Sequence, residues 1–163
     1  MKEKMTSMKD IKLVDMTSIP DLGLYMDQVV QFLDQSLYFF KTDINTSVLT
    51  KTMINNYVKH KVLPKPHQKK YRRDHIMRLM MIYILKNTFA MEEINAFFKQ
   101  GLQQYLTVDA LYIAFSHTFN TLWETGSLNN QEKTSYTNAI HTLELAILSD
   151  YYKRLACFQM LKS

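Results

Sequence analysis

The chain has 163 residues and a mass of 19.3 kDa, room for one ordinary domain or two small ones sharing a core. Its hydrophobic fraction of 47% suits a globular protein, and without a charge-free apolar run near ~18 residues a membrane span is excluded. Three Gly and three Pro leave few tight turns, which argues against a sandwich or barrel and for long helices, while the lone Cys157 excludes a disulfide framework and a cysteine-built metal site. The net charge of +5 is unevenly placed: residues 44–89 carry ten basic side chains against one acid, Asp74. A positive field that is localised, and central rather than in a tail, points to a polyanionic partner. Lys2, Lys4, Lys9 and Lys12 stand at the start with no apolar stretch behind them, so the expected setting is soluble and cytoplasmic.

Residues 1–17 are polar and without period, and are expected to form a flexible segment. After Ser18 and Pro20, the residues Met26, Val30, Leu33, Leu37 and Phe40 recur at helical spacing, predicting a helix from about 21–24 to 40, with Gly23 awkward near its start. Residues 41–48 form a polar connection. A short helix is expected from Thr50 to about His60, capped by the Thr50 hydroxyl and turning Met53, Ile54, Tyr57 and Val58 inward. Thr52, Asn55, Asn56 and Lys59 then share its outward face. Pro64 and Pro66 make 61–71 a loop, read as a small wing with two or three residues pairing on each side and Tyr71 as its anchor.

From about Arg72 to Asn87 the sequence is apolar nearly all round, including Met77, Met80 and Met81, so this helix should be central. The next begins near Ala90, places Glu92 and Glu93 in its first turn, and is expected to end at Gly101. Val108, Leu111, Phe115, Thr118 and Leu122 form the seam of the first arm of a helical hairpin, with 126–130 as its turn. The second arm runs from about Gln131 to Met160, about 45 Å at 1.5 Å per residue, long enough to outgrow its own core. Cys157 reads as a small buried hydrophobe.

A polar-faced short helix, a Pro-containing basic loop and a buried helix are the parts of a winged helix-turn-helix. A helix entering the major groove must offer hydrogen-bonding side chains to base edges, and Asn can pair bidentately with adenine while Thr contacts several edges. Lysines at its margins neutralise phosphate without reading sequence. The segment 51–73 holds eight basic residues and no acid.

The run Leu49-Thr-Lys-Thr-Met-Ile-Asn-Asn-Tyr-Val-Lys59, with Val62-Leu-Pro64, Lys69-Lys-Tyr71 and Ala90-Met-Glu-Glu-Ile94, resembles a MerR-like winged helix-turn-helix. Adding Leu24-Tyr-Met-Asp-Gln-Val29, it resembles an uncharacterised bacterial domain-of-unknown-function family whose members are described as regulators, over roughly residues 20–105. By this resemblance Asn55 and Asn56 fall where MerR-like proteins carry an Arg-Tyr pair contacting DNA, and Lys69 falls at the wing arginine. Arg72 and Ala90 stand where Ser or Thr would cap the following helices.

The expected protein is therefore all-α: a MerR-like winged helix-turn-helix with at most a minimal β wing, an N-terminal helix and a C-terminal helical hairpin. Its divisions are 1–17, flexible; 18–105, helix plus DNA-binding domain; and 106–163, a hairpin for dimerisation or effector binding. The expected function is sequence-specific binding of double-stranded DNA as a transcriptional regulator, acting as a homodimer. Thr52, Asn55 and Asn56 would read bases while Lys51, Lys59, Lys69, Lys70, Arg72 and Arg73 hold phosphates. The alternative is a helical protein-interaction module whose basic segment meets an acidic partner. A small-molecule effector, with Tyr112, Phe119 and Trp123 lining a pocket in the hairpin, is compatible with the first reading. No phosphate loop, nucleophile elbow or paired acids suggest an enzyme, no cofactor is called for, and His141 with Glu144 is too little for a metal site.

Overall fold

The computed structural model describes residues 10–41, 45–128 and 138–161. Within them are α1 (Met26–Ser36), α2 (Lys51–Lys59), α3 (Arg73–Leu85), α4 (Met91–Tyr105), α5 (Val108–Thr125) and α6 (Asn138–Met160), with 3-10 turns at Met16–Ser18 and Tyr38–Phe40. β-pairing among the described residues is limited to two isolated bridges, so the protein is all-α. None of these helices is long and apolar enough to cross a membrane.

Helix α3 is the centre. Ten of its thirteen residues are buried, which follows from a sequence apolar on nearly every face, and α1, α5 and α6 pack around it. Met77, Met80 and Met81 are core, as their helical context predicts. The α5 seam is buried at Leu111, Phe115 and Leu122, and Tyr112, Phe119 and Trp123 beside it are core rather than the lining of a pocket. Leu33, Ile54, Ile76, Phe98, Phe115 and Ile147 belong to one buried cluster, so α5 and α6 complete the core of the preceding residues. They do not form the expected hairpin: Leu111 near the start of α5 lies beside Thr142 and Leu143 near the start of α6, and Trp123 near its end meets the Tyr151 ring at 4.9 Å, so the two helices run parallel.

Several boundaries differ from expectation, each for a physical reason. Residues 10–17, part of the segment expected to be flexible, dock on α5: Ile11 and Leu13 are buried, Leu13 N–H donates to Asn120 Oδ1 at 2.8 Å, and Tyr112 Oη–H donates to the Val14 carbonyl at 2.7 Å. Two apolar residues spaced by two give too little pattern to read. Residues 1–9 lie outside the described residues.

Helix α1 starts at Met26, not at 21–24, because Leu24 is extended and exchanges both backbone hydrogen bonds with Tyr71, each 2.8 Å. Gly23 belongs to that crossing: a Cβ there would meet Lys70 Cβ and Cδ at 3.0 Å. The helix gives way to a 3-10 turn before Phe40. Gly101 does not end α4, which continues to Tyr105; it is buried where α5 approaches, and a Cβ would lie 2.9 Å from both Leu111 methyls. Cys157 is exposed, because α6 has run past the core by that point and leaves Tyr152 and Met160 in solvent too. The expected start of the last helix, 131–137, lies outside the described residues.

Helix α6 is tied to α3 by a buried polar network. The Asp150 carboxylate is fully buried, accepting from Arg154 Nε at 2.8 Å and Asn87 Nδ2 at 3.1 Å, while the Arg154 guanidinium stacks 4.1 Å from the Phe40 ring centroid. Burial raises the Asp150 pKa above the ordinary carboxylate value, opposed by Arg154, Asn87 and Lys153. The folded state therefore keeps this proton to higher pH than the unfolded chain, and stability falls as pH rises through the raised pKa. Asp150→Asn cannot ionise, so it is expected to gain on the native protein across that window. Urea midpoints compared between about pH 4 and 7 check this, and a pH-independent difference would contradict it.

Candidate nucleic-acid interface

Helix α2 has nine residues, too short to be stable alone, so tertiary packing must hold it. Thr50 Oγ1 accepts from Met53 N–H at 3.2 Å, capping the first turn as its position predicts. Ile54 and Tyr57 are buried, and Leu49, Val62 and Leu63 extend that anchor on both sides. Burial pushes the Tyr57 pKa up to about 12, keeping the phenol neutral. The approach to α2 is fixed by Asp34, whose carboxylate accepts from Val48 N–H at 2.7 Å and pairs with Lys41 at 3.3 Å. Thr52, Asn55, Asn56 and Lys59 are all exposed on the opposite face.

Beyond α2 the backbone reverses twice through left-handed residues. Val62 N–H donates to the Tyr57 carbonyl and Lys61 N–H to that of Val58, both at 3.0 Å, with Lys61 at φ 59 where Gly is usual. Gln68 and Lys69, at φ 49 and 61, then form the tip of a tight turn closed by Lys70 N–H donating to His67 O at 2.9 Å. This turn is smaller than the expected wing with two or three paired residues per side. Pro64 and Pro66 lack the N–H donors a ladder needs, and the returning arm pairs with Leu24 instead. Tyr71 is the anchor, 3% exposed and edge-on to the His75 ring.

Left-handed geometry costs a side-chain-bearing residue roughly 1–2 kcal/mol. Lys69→Gly is therefore expected to raise stability by about 0.5–1 kcal/mol. Thermal melting reads the effect, and an unchanged or lower melting temperature would contradict it.

Two contacts bring the 67–70 turn and α2 to a common edge. The Lys51 ammonium pairs with Asp27, and the Lys70 ammonium lies 5.5 Å from the ring centroid of Tyr25, so both flank the first turn of α1. Tyr25 itself is exposed, and its N–H donates to Gln28 Oε1 at 2.9 Å. The Leu24–Val29 stretch thus builds this junction, a role that pattern reading leaves unassigned. Lys69, Lys70 and Arg72 are exposed. Arg73 is not gathered with them, because its Nε donates to the Ile19 carbonyl at 3.0 Å and its guanidinium pairs with Asp21 at 3.7 Å.

Lys59, Lys61, Lys65, Lys69, Lys70 and Arg72 form no ion pair among the described residues. Lys61 and Lys65 thus enlarge the basic edge beyond the residues singled out from sequence. The missing Ser or Thr caps are replaced from within the helices: His75 Nδ1 accepts from Arg72 N–H at 3.2 Å, and Glu93 Oε2 from Ala90 N–H at 2.7 Å.

A family model described as Domain of unknown function (DUF1836) matches residues 14–122, more than half of the chain. The chain belongs to that family. The matched region holds α1 to α4 and most of α5, with the α2 face and the 67–70 turn, and it extends past residues 20–105 at both ends. At one end it takes in Val14, which receives the Tyr112 hydroxyl, and at the other the α5 seam to Leu122; α6 lies outside it. Comparison with curated proteins gives no match, and comparison with solved structures gives none.

Proposed function

We propose that this protein is a sequence-specific transcriptional regulator that binds double-stranded DNA as a homodimer through a MerR-like winged helix-turn-helix. Helix α2, roughly 13 Å long, enters the major groove, where Thr52, Asn55 and Asn56 read base edges. Lys59, Lys69, Lys70 and Arg72 hold flanking phosphates. Lys51 and Arg73 can join them only by loosening their pairs with Asp27 and Asp21.

The observation that carries this reading is the common edge: a capped helix showing only polar and basic side chains outward, beside a turn that keeps lysine at left-handed φ. Strain held in an exposed basic turn is the kind a functional contact retains.

Fluorescence anisotropy of a labelled duplex titrated across salt tests it. Three or four phosphate contacts per protomer give a dimer a log–log slope of about −5 to −7. A slope shallower than about −2 would contradict the proposal. Preference for an acidic peptide over duplex of equal charge would replace it with the protein-partner alternative.

A further inference from the structure

A cavity of about 350 Å³ opens between the segment leaving α2 and one face of α4. Leu63, Phe98 and Leu102 give it an apolar floor, and Lys61, Lys65, Arg78 and Lys99 contribute four cations with no acid among its lining. Asn95, Phe98, Lys99 and Leu102 share that face of α4 through helical spacing. Lys61, Lys65 and Lys99 are exposed and make no ion pair among the described residues.

Arg78 is the unusual member. Its guanidinium centre lies 5.0 Å from the Phe98 ring centroid, and its Nε is buried without a hydrogen-bond partner among the described residues. Burial lowers its pKa from the ordinary value, with Asp74 one turn earlier partly offsetting this. Four cations around an apolar floor select a ligand that is anionic at one end and hydrophobic at the other.

We propose that this cleft binds a small organic carboxylate with an aromatic or branched aliphatic body. The carboxylate meets Arg78, the lysines surround it, and the body rests on Leu63, Phe98 and Leu102. The ligand touches both α4 and the chain leading from α2 to the wing, so its occupancy and duplex binding affect each other reciprocally. That coupling rests on the DNA-binding reading, whereas ligand binding itself does not.

Amide NMR titration of the full chain without DNA tests the site, using benzoate, benzamide and inorganic phosphate as probes. Benzoate is expected to give saturable shifts at Leu63, Asn95, Phe98, Lys99 and Leu102, with benzamide and phosphate at least about tenfold weaker. Arg78→Met should weaken benzoate about tenfold, and the exposed Lys99→Ala, which leaves the core untouched, about threefold. Benzamide binding as well as benzoate would overturn the role of the cations, and phosphate doing so would overturn that of the floor. Absence of saturable shifts at these residues, or equal binding by both variants and the native protein, would overturn the site. A positive titration with no duplex binding would leave the site standing and remove only its coupling.

Discussion

Asn55→Ala combined with Asn56→Ala is expected to reduce the preference for the protein's own site over unrelated duplex by about 10- to 100-fold. A bidentate contact contributes about 1–3 kcal/mol of discrimination against the wrong base. Both side chains are exposed, so stability should change by less than about 0.5 kcal/mol. Generic affinity should fall less than about threefold, because phosphate contacts carry it. Competition titrations with specific and random duplex measure the ratio. An unchanged ratio would take base reading away from this face of α2.

The second large effect has the opposite signature. Lys69→Ala with Lys70→Ala is expected to weaken binding to every duplex alike, at least roughly tenfold, and, with two lysines lost from each protomer of the dimer, to flatten the salt slope by about 3.6. Both lysines sit in the exposed turn, where Lys70 contacts the Tyr25 ring and Lys69 makes no ion pair among the described residues. The specificity ratio should hold, since phosphates carry no sequence information. Loss of specificity with retained affinity would invert the roles assigned to wing and helix.

The helices were legible where periodicity is strong. Buried α3, the α5 seam and the Thr50-capped α2 follow from spacing and caps within a few residues of each element. What escaped depends on distant partners. The start of α1 is set by Leu24 pairing with Tyr71, and Gly101 by the approach of Leu111 from the next helix. Two alternating apolar residues, Ile11 and Leu13, docked a segment that composition alone marked as loose.

The basic edge was equally divided. The outward face of α2 follows from helical spacing alone. The left-handed backbone at Lys61 and Lys69 carries no sequence signal, because lysine is not a residue that marks such turns. Arg73 shows the converse: its charge attracted a phosphate role, yet its guanidinium joins the 19–21 segment. Pattern shows which face a residue occupies, while hydrogen bonding shows which charges remain available.

The most direct measurement selects fragments of the source genome with purified protein at about 150 mM salt and excess competitor DNA, where non-specific contacts are weak. A few recovered sites sharing a two-fold symmetric motif are the predicted result, and they would name the operator at once. Random fragments would contradict sequence-specific reading and leave a basic patch with generic affinity, whereas recovery of nothing would contradict DNA as the partner of this edge.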